Sequence, residues 1–343
     1  MIKHSSGKGV TIELPKDIWK MAIVIGYINK NKLNNISIVD RDSETSPAHS
    51  DTNVYNIDFL NKIKYPEKII EFALYCNCED YSPINRFVNL EQLNVSVKDD
   101  KVIDLAKFGK LKKLGARKLA PLYNLDKSPL LWLNYGHGDK KINCETELVQ
   151  QLKNLEDLRF FTVKKFDLQQ LAGMQKLKSL TFMQCDVDTL SNIEQFSSLE
   201  AVSISYCYKF VQVDGVERLP KLRVLELDTC SKLKYAPAIG SIKNLKMLIL
   251  ENVKLQDYSF LEDMACKDTF ACLMMKNCGS IPSIKFLDNY PNVQAFCGWE
   301  TNIVDGDITP CLRLESASIT NKRHYNVKDK QLPFGRAFFE WWD

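Results

Sequence analysis

The chain has 343 residues, 45% hydrophobic and 26% charged, a composition that excludes wholesale disorder and allows a large buried core. Lys and Arg number 46 against 43 Asp and Glu, and a net charge of +3 lacks the concentrated basic excess of a dedicated nucleic-acid binder. The longest apolar run near the N-terminus, Met21 to Ile28, is shorter than the roughly 20 residues of a membrane span, and acidic Asp17 precedes it where a signal peptide is basic.

The expectation is therefore a protein that stays in the cytoplasm, away from membranes. The odd count of 11 cysteines, spread along a long chain, fits reduced thiols there better than a disulfide framework. In chain order, Val10, Ile12 and Leu14 alternate as a strand does. A helix opening near Pro15 and Asp17 would bury Ile18, Ala22 and Ile25, together with Trp19 and Ile23. Leu33, Ile36 and Ile38 form an outlying copy of the pattern that follows, and the polar stretch 41–54 reads as a mobile loop. Residues 1–68 are taken as an N-terminal cap.

From Ile69 onward one pattern recurs. Weaker copies start at Ile69, Leu90, Leu111 and Leu130, the last with an insertion around Gly136 to Cys144. Eight contiguous copies follow, starting at Leu155, Leu177, Leu199, Leu222, Leu245, Phe270, Val293 and Leu314. The clearest reads Leu177, Leu180, Phe182, Cys185, Val187, Leu190, or LxxLxLxxCxxxxL. The central copies are about 22 to 23 residues long, and about twelve fill residues 69–320. The second and third apolar positions lie two apart, so they face one side of a short strand while the residue between faces the other. One strand per copy cannot bury its apolar side alone, so the copies must stack into a parallel sheet. Residues 321–343, with Tyr325, Phe334, Phe338, Phe339, Trp341 and Trp342, are read as an aromatic cap over the last copy.

This pattern resembles the leucine-rich repeat family, and the copies at 177 and 199 resemble its 22-residue class, found in internalins and many bacterial intracellular proteins. The resemblance implies a curved α/β solenoid with the parallel sheet on its concave face and short helices, 3-10 turns or loops on the convex face. It also implies that Cys185, Cys207, Cys230 and Cys278, at the ninth position, pack in a column and bond the turn backbone.

No catalytic constellation emerges. His4, His49, His137 and His324 lie outside any metal spacing, Cys76 and Cys78 lack a second pair, and Gly7 to Gly9 lacks the rest of a phosphate loop. Cys266, Cys272 and Cys278 should diverge, and His137, Gly138 and Asp139 read as a polar turn. The expectation is a non-enzyme without cofactor or metal.

What remains is a surface. Third, fifth, seventh and eighth positions of each copy project from the sheet away from the core, and the candidate contact residues there are Trp132, Arg159, Phe161, Met183, Tyr206, Glu226, Asp228, Glu251, Lys276, Trp299 and Glu300. Met247, Ile249 and Met274 project on the same side. Aromatic and Met side chains are the types that anchor interfaces. The carboxylates Glu226, Asp228 and Glu251 predict a basic protein partner, whereas Lys113, Arg117 and Lys118 gather nearer the N-terminus. The expected role is a protein-binding module, in its most specific version an intracellular bacterial inhibitor or immunity protein. A scaffold or regulatory adaptor for an endogenous protein is the alternative, and a surface adhesion factor a further one. The oligomeric state stays open.

Overall fold

A computed structural model of the chain describes residues 2–3, 9–40, 53–98 and 102–334. His4, Gly7 and Lys8 of the Gly7 to Gly9 stretch, His49, most of the 41–54 loop, and Phe338, Phe339, Trp341 and Trp342 lie outside the described residues. The chain divides into two compact units, Met1–Gly138 with Glu145–Leu158, and Asp139–Cys144 with Arg159–Asp343.

In the first unit six strands pair in parallel in sequence order: β1 (Gly9–Leu14), β2 (Asn35–Asp40), β3 (Glu71–Tyr75), β4 (Gln92–Val95), β5 (Lys113–Ala116) and β6 (Trp132–Tyr135). The two-residue strand Ile2–Lys3 pairs antiparallel with β1. The outlying copy is in frame with its neighbours, because Ile36 and Ile38 of β2 pair with Phe72 and Leu74 of β3. Helix α1 (Met21–Asn31) connects β1 to β2 and buries Val24, Ile25 and Ile28. Of the face expected from the sequence only Ile25 is buried: Ile18, Trp19 and Ile23 are 55%, 76% and 67% exposed, and Ala22 is exposed as well. Ile18–Lys20 is a separate 3-10 turn. With three residues per turn rather than 3.6, it resets the helical phase at Met21, and the buried face then follows Val24, Ile25 and Ile28, with Met21 half-buried.

The inserted segment of the Leu130 copy ends at Glu145, whose carboxylate organises the turns beside it. It accepts from the Leu119 and Ala120 amides at 2.7 and 3.1 Å and from the Tyr135 hydroxyl at 3.0 Å. A short helix, α2 (Thr146–Val149), follows.

The boundary between units falls within β7 (Asp157–Phe161). From there the second unit runs β8 (Ser179–Met183), β9 (Ala201–Ser205), β10 (Val224–Asp228), β11 (Met247–Glu251), β12 (Cys272–Lys276), β13 (Ala295–Gly298) and β14 (Ser316–Ile319). These strands are parallel and in register, Leu180 opposite Val202, Val202 opposite Leu225, Leu225 opposite Leu248. First, fourth and sixth positions make the core: Leu177, Leu180, Phe182, Leu199, Val202, Ile204, Leu222, Leu225 and Leu227 are all at most 1% exposed. Each such side chain contributes roughly 1.5–3 kcal/mol of burial. Away from the sheet the chain returns through 3-10 turns such as Ile193–Gln195, Val216–Arg218 and Pro237–Ser241. An asparagine just before the first position stitches some copies together there. Asn244 donates to the Pro220 carbonyl at 2.7 Å, and Asn292 to that of Asp268 at 2.7 Å.

Two columns run along the ends of β7 to β13, the second interrupted by Val163 and Val253. The eighth residue is left-handed, with φ between 48° and 56° at Thr162, Gln184, Tyr206, Thr229, Asn252, Asn277 and Glu300. That twist aims its amide along the sheet: Gln184 donates to Ser205, Tyr206 to Asp228, Thr229 to Glu251 and Asn252 to Lys276 carbonyls at 2.8–2.9 Å. At the ninth position the Cys207 thiol meets the carbonyls of Phe182 (3.7 Å) and Ser205 (3.4 Å). Cys185, Cys230 and Cys278 repeat this geometry, and Thr301 replaces them with a hydroxyl 2.7 Å from the Met275 carbonyl. Burial pushes the Cys185 thiol up to about 11 and those of Cys207 and Cys278 to about 12, so they remain protonated donors.

Candidate functional site

The face of the sheet opposite the core, called here the open face, carries the third, fifth and seventh residues of each strand. In the second unit its chemistry changes along the strands. From Arg159 of β7 to β9 it places half-buried Arg159, Phe161, Ser179, Thr181, Met183 and Ser203 there. Exposed Tyr206 follows, in the left-handed turn.

An acidic cluster lies on β10 and β11. Register sets Glu226 beside Ser203 and Asp228 beside Glu251. The Ser203 hydroxyl donates to Glu226 at 2.7 Å. Even so, burial, together with the charges of Asp228 and Glu251, raises the Glu226 carboxyl above its usual value. Glu251 pairs with Lys276 on β12 at 2.5 Å, and that bond and charge hold the ammonium above the ordinary lysine value. Asp228 accepts from the Thr229 hydroxyl at 2.7 Å, and Asn252 reaches both at 3.2–3.4 Å. Asn277 donates to Asn252 at 2.8 Å, which extends the network along the turns. Among the described residues, then, three clustered carboxylates share one ion pair. Such a partly neutralised patch strengthens toward an incoming cation once water is excluded.

Beyond it, Trp299 is 48% exposed and donates its indole N–H to the Ser318 hydroxyl at 2.7 Å. Exposed Glu300 is fixed by its amide on Thr320 Oγ1. Glu226, Asp228, Glu251 and Lys276 are thus brought together on adjacent strands, with Trp299 and Glu300 at one side. Arg159, Phe161 and Met183 lie on strands farther back, and Trp132, half-buried on β6, belongs to the first unit. That unit has an open-face cavity of about 330 Å3 lined by Tyr75, Asn94, Ser96, Arg117, Asn134 and His137. A Cβ at Gly115 would stand 2.2 Å from Asn94 Oδ1, so a larger residue there would displace the Asn94 side chain.

Two of the outward residues depart from the sequence reading. Met247 and Ile249 point to the open face yet are 1% and 2% exposed, packed with Cys272 and Ala295. Alternation along a strand gives the side a residue faces. It does not say whether that side is covered, and only the run of apolar third and fifth positions could have signalled it.

Among solved structures the chain is similar to internalin InlF from Listeria monocytogenes, 19% identical, with 76% of this chain and 83% of that one covered and a TM-score of 0.50. The chain has the leucine-rich repeat fold. Similarity to TLR13 in its ssRNA13 complex has the same TM-score, 0.50, at 16% identity, covering 86% of this chain and 51% of that one. Internalin C2 from Listeria monocytogenes is 21% identical over 55% of this chain and 79% of its own, with a TM-score of 0.45. No protein-family model matches the sequence, and no curated protein does so significantly. Among the described residues no helix is long and apolar enough to cross a membrane.

Proposed function

We propose that the chain is a non-catalytic binding module whose second unit holds a basic protein on its open face, acting in the cytoplasm as a bacterial inhibitor or immunity protein. The observation that carries this reading is the cluster of Glu226, Asp228 and Glu251 on neighbouring strands, in which Lys276 pairs with Glu251. Trp299, Tyr206 and Met183 supply anchors around it, and charge supplies orientation and on-rate. TLR13 is complexed with a single-stranded RNA, but that ligand does not suit the open face of this chain, because phosphates would meet those carboxylates.

Growth rescue tests the reading. Co-expression should protect cells from a toxin encoded beside this chain's gene, and Glu226→Lys with Asp228→Lys should abolish protection while the thermal midpoint stays within a few degrees. Lack of rescue against every neighbouring toxin would sink the inhibitor reading.

A further inference from the structure

The open face of the first unit is built differently from that of the second. Gly115 holds the fifth position of β5, with Asn94 of β4 opposite it on one side and Asn134 of β6 on the other. On β8 to β11 that position carries the side chains of Thr181, Ser203, Glu226 and Ile249. With no side chain at Gly115, a hollow of about 330 Å3 opens there, lined wholly by residues of the first unit, and the Asn94 amide leans into it. Its volume lies at the small end of the roughly 300–1,000 Å3 of small-molecule sites. Seventh positions continue the lining: Tyr75, Ser96 and Arg117 follow one another across β3, β4 and β5, and His137 joins them from the turn after β6. The Arg117 guanidinium lies against Gly138, where a Cβ would stand 2.3 Å from its Nη1.

Two observations mark this hollow as a binding site. Its polar groups are not satisfied by the protein: among the described residues, the side chains of Tyr75, Asn94, Ser96, Arg117 and Asn134 make no hydrogen bond or ion pair, and Asn134 Oδ1 is shielded from solvent as well. On β10 and β11, by contrast, Glu226, Asp228 and Glu251 are each bonded to a neighbouring side chain. The lining is also cationic without a carboxylate. Arg117 stands among amides and hydroxyls, Lys113 and Lys118 are exposed beside it in the sequence, and Glu71 of β3, at the third position, is engaged by Asn35. Burial raises the Tyr75 hydroxyl above the ordinary tyrosine value, so it stays a donor. A guanidinium offers parallel N–H groups to an oxyanion, and a phosphate has oxygens enough to take two hydroxyl donors besides. Each amide brings both a donor and an acceptor, which suits the hydroxyls of a body carrying that phosphate.

We propose that the first unit binds a small hydroxyl-bearing phosphomonoester, a sugar or polyol phosphate, in this hollow, with Arg117, Ser96 and Tyr75 on the phosphate and Asn94 and Asn134 on the hydroxyls. The carboxylates that turn phosphates away belong to the second unit, so this site stands independently of the protein partner assigned there.

Calorimetric titration of the full chain at physiological salt tests this, with glycerol phosphate, ribose phosphate, inorganic phosphate and glycerol as separate probes. At least one of the two esters should bind saturably, one per chain and several-fold more tightly than inorganic phosphate, and glycerol should not bind. Arg117→Gln should weaken the ester tenfold or more, and Gly115→Ala, which displaces the Asn94 amide, severalfold. Lys113→Gln removes an equal charge from the same strand outside the lining and should change binding less than twofold. Thermal midpoints within a few degrees of the unaltered chain show that these variants fold. Glu226→Lys with Asp228→Lys should leave ester binding unchanged, which separates failure here from failure of the partner reading. Absence of saturable binding by both esters overturns the proposal. Equal losses in Lys113→Gln and Arg117→Gln, the mark of diffuse charge, overturn it too, as does binding of a phosphoserine peptide but of neither free ester, which would assign the hollow to a protein.

Discussion

β8 and β9 and the later pair β11 and β12 occupy equivalent places in the same repeat, and their core positions are interchangeable: Leu180, Phe182, Val202 and Ile204 are as completely buried as Leu248, Leu250, Leu273 and Met275. Their open faces differ. Ser179, Thr181 and Ser203 face outward half-buried in the first pair, where the second presents Met247, Ile249 and Cys272, all but inaccessible. The fold constrains one side of each strand and leaves the other free, so the residues that vary without cost to the scaffold are those from which function is to be read.

The largest effects should ignore this difference. Phe182→Ala and Phe296→Ala remove wholly buried rings and should each cost about 3–5 kcal/mol by denaturant titration, against less than about 0.5 for Thr181→Ala. Labelling should separate the regions next. A cysteine placed by Ala201→Cys should react at least tenfold faster than native Cys272, whose thiol burial pushes up to about 12. The ninth-position column crosses both regions, and Cys207→Ala and Cys278→Ala should cost similar amounts, about 1–2 kcal/mol, by loss of the thiol contacts and packing. Cys207→Thr should recover part of that loss, because Thr301 shows a hydroxyl filling the place.

The smallest effect is electrostatic. Glu226 has its folded value raised, so the folded state holds the proton more tightly than the unfolded one, and stability falls as pH rises from the ordinary carboxylate value through the raised one. Glu226→Gln should therefore raise the thermal midpoint at pH 7 by a degree or two and leave it nearly unchanged at pH 4. A midpoint lowered at pH 7 would mean that the Ser203 bond outweighs burial and like charge.

The periodic parts of this architecture were legible in the sequence. Leu177, Leu180 and Phe182 recur in kind from copy to copy, and each recurrence is a separate witness to the strand and to the buried side. The cysteine column was legible for the same reason. Features that occur once were not. The phase of α1 depends on a single 3-10 turn at Ile18–Lys20, and Glu145 collects three donors from residues 10 to 26 positions away, which no local pattern announces. Of the candidate contact residues, register placed Glu226, Asp228, Glu251 and Lys276 side by side, because parallel in-register pairing makes equal positions of successive copies neighbours. The burial of Met247 and Ile249 was hidden, since alternation tells which side of a strand a residue faces and not how closely that side is packed.

Recognition of a partner by the open face of the second unit, and not by its core or its turns, is tested most directly by affinity capture from the source cell's lysate, with Glu226→Lys, Asp228→Lys beside the unaltered chain. One stoichiometric basic protein, retained by the unaltered chain and lost by the variant at an unchanged thermal midpoint, is the predicted result. The same partner held equally by both would contradict it.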